Sequence, residues 1–262
     1  MAPATRPAPR GPGRMDRLLE LTYRAERTHF WFRGFRRFVA PWLADAAAGR
    51  TDLRLLDCGC GTGTNLDLFR ARCDAFGFDL TPGGLRFART HGGLRVARAS
   101  ITHVPFAPAT FDVVTSFDVL QCVTEAQETL AMASMARVLK PGGALILNVA
   151  ALEILSGSHA VLSEEVRRYT KPLMRQALSR AGLVPERITY TNFSLFPVML
   201  ATRAWQRLRG AARPEALTAE ITVPSAPVNT ALTAVLSLEA RAVRLTNLPI
   251  GSSLLVLARK PA

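Results

Sequence analysis

Leu53-Arg54-Leu55-Leu56-Asp57-Cys58-Gly59-Cys60-Gly61-Thr62-Gly63 decides the fold of this chain. An apolar run passes directly into three glycines at alternate positions, and a helix-like segment follows. A buried parallel strand reads this way when it ends in a tight turn built to hold a ligand. Glycine has no Cβ, so the backbone there can take unusual dihedrals and come close to a bound molecule. A dinucleotide loop would read G-x-G-x-x-G and cradle a pyrophosphate at a helix N-terminus. Here the glycines are more tightly spaced, and an acid, Asp57, precedes them.

An acid beside the turn repels a pyrophosphate and suits a ligand carrying an ammonium and a sulfonium. A second acid, Asp79, ends the next apolar stretch, Ala75-Phe76-Gly77-Phe78-Asp79. It stands about 20 residues further on, where nucleotide folds place a ribose-binding acid. Leu139-Lys140-Pro141-Gly142-Gly143 comes later. In this order and spacing the three features resemble a class I S-adenosylmethionine-dependent methyltransferase of the small-molecule type. The resemblance covers roughly Leu53–Ala151.

That resemblance implies S-adenosyl-L-methionine as cofactor. It also implies an α/β fold: a Rossmann-like seven-stranded sheet with helices on both faces. The backbone of Gly59, Cys60, Gly61 and Gly63 is then expected to line the methionine part of the cofactor. Asp57 lies near its ammonium, and Asp79 accepts both ribose hydroxyls. Each acid has a plainer alternative, Asp57 as an acceptor for loop N–H groups and Asp79 as a helix cap before Pro82. Leu80, Ser100, Ile101 and Phe117 complete the expected cofactor set. Relatives often carry an acid after the third strand for the adenine amino group. This chain reads Ala99-Ser100-Ile101, so Ser100 supplies a weaker acceptor. Asp118, after Phe117, faces either the site or the start of the next helix.

Methyl transfer from a sulfonium needs alignment and exclusion of water more than activation. Some acceptors also need a base. His159, in a Gly/Ser loop, is the candidate catalytic residue because imidazole titrates near neutrality; the alternative is an exposed bystander. Arg167-Arg168-Tyr169-Thr170 resembles segments at the acceptor rim of relatives, and Thr170 suits a helix N-cap. Tyr23–Arg37 gathers aromatic and basic residues. It reads as an N-terminal lid whose Arg33 pairs with the cofactor carboxylate, with a core helix and a nucleic-acid surface as alternatives.

The chain of 262 residues is 48% hydrophobic, enough for a substantial core, and has a formal net charge of +13. The positive charge is nearly all arginine and is spread out, which reads as a solvated surface rather than a nucleic-acid site. Cys58, Cys60, Cys73 and Cys122 make neither a disulfide framework nor a zinc set, so no metal is expected. They read as reduced thiols of a cytoplasmic protein. No run reaches the ~18 apolar residues of a spanning helix; Ala144–Leu155 comes nearest, and Asn148 and Glu153 interrupt it.

Residues 1–14 read as a disordered tail and residues 15–262 as one methyltransferase domain. Within it, 15–50 is the helical lid, 51–192 the cofactor-binding core, 193–251 a helical insertion and 252–262 the last strand. Strands are expected at Leu53–Cys58, Ala75–Asp79, Leu94–Ala97, Phe111–Phe117, Ala144–Ala150, Pro185–Thr191 and Ser253–Arg259. Helices fall between them, and Pro41 suggests a new helix start. The alternation implies a parallel sheet covered on both faces. Relatives join strands six and seven by a short hairpin, whereas some 60 residues intervene here, with apolar helical segments near Leu195–Leu208 and Asn229–Leu245. Phe193, Leu195, Phe196, Met199, Leu200 and Trp205 suggest a cap over an apolar acceptor or a peripheral membrane contact. A subunit interface or added core stays open. The expected activity is methyl transfer to a small, fairly apolar acceptor, O-methylation preferred, by a monomer or homodimer without a nucleic-acid partner. An RNA or protein methyltransferase, or a cofactor-binding module without catalysis, is the alternative.

Overall fold

The apolar run at Leu53 forms β1 (Arg54–Cys58), near the middle of a seven-stranded sheet. The other strands are β2 (Asp74–Asp79), β3 (Arg95–Arg98), β4 (Phe111–Phe117), β5 (Leu139–Ala150), β6 (Val184–Thr191) and β7 (Ser253–Arg259), in the order β3-β2-β1-β4-β5-β7-β6. The computed structural model describes residues 14–156, 164–208 and 221–262. The sheet is mixed rather than wholly parallel, because β7 runs antiparallel to both β5 and β6. Strand β5 begins earlier than expected. Leu139 pairs with Phe111 and Ala144 with Val113, so the Lys140–Gly143 turn bulges out of a continuous strand.

Eight helices are described: α1 (Arg14–Ala25), α2 (Phe30–Ala47), α3 (Thr64–Phe69), α4 (Pro82–Thr90), α5 (Glu125–Val138), α6 (Lys171–Arg180), α7 (Phe196–Leu208) and α8 (Ala226–Leu245). Alternate strand residues point to opposite faces. Val114, Leu145 and Val256 meet Met132 and Met135 of α5 and Met174 and Leu178 of α6. Leu55, Val113, Ile146 and Leu255 meet Phe38, Val39 and Trp42 of α2 and Leu236, Ala240 and Val243 of α8.

Pro41 does not start a helix; it lies inside α2. The helix begins at Phe30, where His29 caps it by accepting the Trp31 N–H at Nδ1 (3.2 Å). An interior proline costs about 3 kcal/mol. Burial of Phe38, Val39 and Trp42 against the sheet contributes about 1.5–3 kcal/mol for each side chain and outweighs that cost.

The second insertion helix, α8, lies along α2 and is added core. At their crossing a Cβ on Gly34 would overlap Leu236, so only glycine permits the approach. The insertion leaves and returns through one neck, where the Ser252 N–H donates to Thr191 O (3.0 Å). Strands β6 and β7 therefore pair as the two arms of a hairpin would, despite the residues between them.

Candidate active site at the strand ends

The three glycines after β1 all have positive φ: 84° at Gly59, 50° at Gly61 and 79° at Gly63. The turn is held from β2. The Gly59 and Cys60 N–H groups both donate to Phe78 O (2.8 and 2.9 Å). The Gly61 N–H donates to Asp79 Oδ2 (2.8 Å). Gly63 caps α3, and a Cβ there would lie 2.8 Å from that of Ala88.

Asp57 is only 2% exposed, and its Oδ1 accepts from Thr115 Oγ1 on β4 (2.7 Å). Burial raises its pKa to about 7; Thr115 pulls it down and Asp79 adds to the rise. Its partner is a neighbouring strand, not the N–H groups of the loop. A buried carboxylate supported by one hydroxyl is costly, and a cation beside it relieves the cost. The position of Asp57 is therefore one that a cation would relieve. Asp79 Oδ1 accepts from the Thr81 N–H (2.8 Å) and the Thr81 hydroxyl. Thr81, rather than Asp79, is the N-cap residue of α4, and its side chain makes no capping hydrogen bond. An ionised carboxylate offers about four acceptor positions. Three are used here, so holding two ribose hydroxyls requires Thr81 to give way.

Leu80 is exposed beside Asp79, and Ile101 is buried after β3. Ser100 Oγ is engaged with Thr102 Oγ1 (2.9 Å). Cys60 is buried, and burial pushes its thiol far up. The Phe117 ring points into the helical layer, edge-on to Phe35 with centroids 5.0 Å apart. Arg33 lies in the first turn of α2, near Arg36.

The segment read as a lid divides. Helix α2 is core, while α1 covers α4, with Tyr23 stacked on Phe87 (centroids 4.5 Å). Between α1 and α2, buried Glu26 accepts from Thr62 Oγ1 (2.8 Å) and Thr64 Oγ1, clamping this segment to the glycine turn. Burial raises the Glu26 pKa, against the two hydroxyls, Arg36 and His91. Arg36 donates to Glu26 O (2.7 Å). Nothing local in the sequence marks Glu26, because its partners lie 36 and 38 residues away.

A second polar group forms at the end of β4. Asp118, with φ 58°, accepts at Oδ1 from Asn148 Nδ2 (2.9 Å) and Gln121 Nε2 (3.4 Å). Burial raises its pKa to about 6; Gln121 pulls it down and Glu165 pushes it up. Solvent still reaches the residue. Alongside, Arg168 and Glu165 form a buried ion pair (2.7 Å) and Arg167 pairs with Glu128. Tyr169 is fully buried, its hydroxyl donating to Leu120 O (3.2 Å) and its N–H to Ala150 O (2.9 Å). The Arg167–Tyr169 segment thus anchors this corner. Thr170 caps α6 by accepting the Leu173 N–H. His159 and residues 1–13 of the tail expected over 1–14 lie outside the described residues, while Arg14 already begins α1. Asn148 shows in the sequence only as a break in an apolar run; its amide orients Asp118. A trough of about 770 Å³ between α2 and α3, over Leu55 and Val113, is lined by neither Asp57 nor Asp118.

Residues 56–147 match the methyltransferase domain family. A putative methyltransferase of Encephalitozoon cuniculi is 38% identical over 96 residues, 36% of this chain and 44% of that protein. A demethylmenaquinone methyltransferase of Renibacterium salmoninarum is 32% identical over 145 residues, 55% of this chain and 56% of that protein. The chain spans about half the length of these curated relatives. A solved putative sarcosine dimethylglycine methyltransferase from Galdieria sulphuraria shares the fold, with a TM-score of 0.57 at 18% identity over 85% of this chain and 84% of that one.

Proposed function

We propose that this chain is a class I S-adenosylmethionine-dependent methyltransferase that transfers the methyl group of S-adenosylmethionine to a small, fairly apolar acceptor, with oxygen as the accepting atom; the methyltransferase-domain match over residues 56–147 supports this reading. The observation that carries this reading is Asp57, a carboxylate buried at a strand end with one hydroxyl partner and a pKa raised to about 7. The cofactor supplies a methyl group activated by a positive sulfur. The chain supplies the rest. Asp57 receives the ammonium. Asp79 holds the turn through Gly61 and turns its remaining capacity to the ribose. The turn itself gives the backbone close approach.

Asp118 serves as the base. Its pKa of about 6 leaves it ionised at neutral pH yet able to take a proton, and Asn148 and Gln121 aim it. A hydroxyl acceptor beside it passes its proton to the carboxylate as the oxygen becomes nucleophilic. The name of the Renibacterium relative, with its quinone acceptor, supports a small apolar acceptor. On this reading the protein works in the cytoplasm as a monomer or homodimer, with peripheral membrane contact through residues 193–251 and no nucleic-acid partner.

An Asp79→Ala variant, checked for its fold by circular dichroism, is expected to bind S-adenosylmethionine at least about 10-fold more weakly, since charge-assisted hydrogen bonds of about 1.5–3 kcal/mol each are lost. Unchanged binding overturns the site. A screen of cell extract with labelled methyl donor is expected to label a small apolar product; label found only in RNA or protein favours the alternative reading.

A further inference from the structure

The outward face of α8 is apolar along its whole length. Val228, Val235, Leu238 and Leu245 are 50, 38, 62 and 90% exposed, and exposed Ala231 and Ala242 fall on the same line. Their spacing alternates between three and four, which keeps them in one stripe. The opposite stripe, with Leu236, Ala240 and Val243, is the one packed on α2 and the sheet. The core is complete without the outer stripe, and a continuous exposed apolar strip of this kind marks an interaction surface.

The charged side chains that α8 itself exposes have one sign. Arg241 and Arg244 are exposed and make no ion pair among the described residues. The one acid on α8, Glu239, is buried and spent, its carboxylate accepting the N–H groups of Phe193 and Ser194 (2.9 Å each). That contact seats the start of α7 against the middle of α8. Helix α7 contains no acid and exposes Val198 and Trp205. No helix among the described residues is long and apolar enough to cross a membrane.

We infer that this face of α8 rests on an anionic lipid surface. The apolar stripe enters the boundary between headgroups and acyl chains, and Arg241 and Arg244 meet lipid phosphates. The rival occupant is a second copy of the chain, and charge decides between them. Two α8 helices paired through this stripe offer Arg241 and Arg244 no exposed acid on either helix, on two chains that each carry +13. The inference sharpens the membrane contact proposed above and needs no methyl transfer, so the two readings fail in different assays.

The test is co-sedimentation of the full chain with vesicles of phosphatidylcholine alone or mixed with phosphatidylglycerol. Binding is expected to the mixed vesicles, weakened by salt, and little to phosphatidylcholine alone. The double variant Leu238→Glu, Leu245→Glu should lose about ten-fold in bound fraction, with its melting temperature and its S-adenosylmethionine binding unchanged. The variant Arg241→Glu, Arg244→Glu should erase the preference for phosphatidylglycerol. No sedimentation with either vesicle, or undiminished binding by the first variant, overturns the inference. So does a wild-type dimer that this variant converts to monomer without any vesicle binding, since the occupant is then a second copy.

Discussion

Asp57 and Asp118 stand at the ends of neighbouring strands, β1 and β4, and burial raises both carboxyl groups, to about 7 and about 6. Their surroundings differ. Asp57 is sealed from solvent and has the Thr115 hydroxyl. Asp118 is exposed as a residue and held at positive φ, while its desolvated carboxyl is oriented by the amides of Asn148 and Gln121. A sealed carboxyl with one neutral partner is relieved by a cation that stays. A carboxyl held between two amides on an exposed residue is a place suited to taking up and releasing a proton. On the proposed reading one position binds and the other does chemistry, though the residue type is the same.

Asp118→Asn breaks the comparison most severely. Turnover should fall by roughly 10²–10⁴-fold while affinity for S-adenosylmethionine holds, and the acid limb of the pH–rate profile near pH 6 should vanish. Wild-type turnover in this variant would leave Asp118 a structural residue.

Asp57→Asn tests the other half and should act on binding instead, weakening the methyl donor by about 10- to 100-fold, the worth of one charged hydrogen bond. The pH dependences have opposite signs. An unfolded aspartate titrates near 4, and Asp57 in the folded chain near 7. Folding therefore favours its protonated form, and its contribution is full below about pH 4 and is lost as pH rises to 7. The ligand-free protein should melt lower at pH 8 than at pH 5, and Asp57→Asn should flatten that slope. Donor affinity should tighten as pH rises through 7, because a cation selects the ionised form. Calorimetric titration on both sides of pH 7 reads this directly, and a pH-independent affinity would show that the ammonium lies elsewhere.

What the sequence discloses about this site follows the range of each interaction. The glycine turn, β4 at Phe111–Phe117 and β7 at Ser253–Arg259 depend on neighbours a few residues apart, and the chain writes them openly. Pro41 shows a local rule overridden by burial of Phe38, Val39 and Trp42. Helix α8 is legible as a helix, but its orientation is not. Leu236 and Leu238 are equally apolar and two residues apart, and only the close approach at Gly34 selects the stripe that Leu236 belongs to. The pairing of Asp118 with Asn148 spans 30 residues and has no periodicity to reveal it. Phe117 stands at the expected strand end, yet strand alternation turns its ring to the helical side.

Glu26 sharpens the comparison from a third position. It too is buried with a raised pKa, but its partners are complete: two threonine hydroxyls, with Arg36 and His91 nearby. A carboxyl so satisfied has no need of a ligand, and its work is to hold the α1–α2 junction against the glycine turn. Glu26→Gln keeps the shape and part of the hydrogen bonding, so it should cost about 1 kcal/mol, a fall in melting temperature of about 2–4 °C for a chain of this size. Affinity for S-adenosylmethionine should change only a few-fold, and its pH dependence should stay that of the wild type, because Asp57 is untouched. A loss of donor binding as large as that of Asp57→Asn would mean that Glu26 reaches the ligand itself, and burial with satisfied partners would then no longer separate a structural acid from a binding one in this molecule.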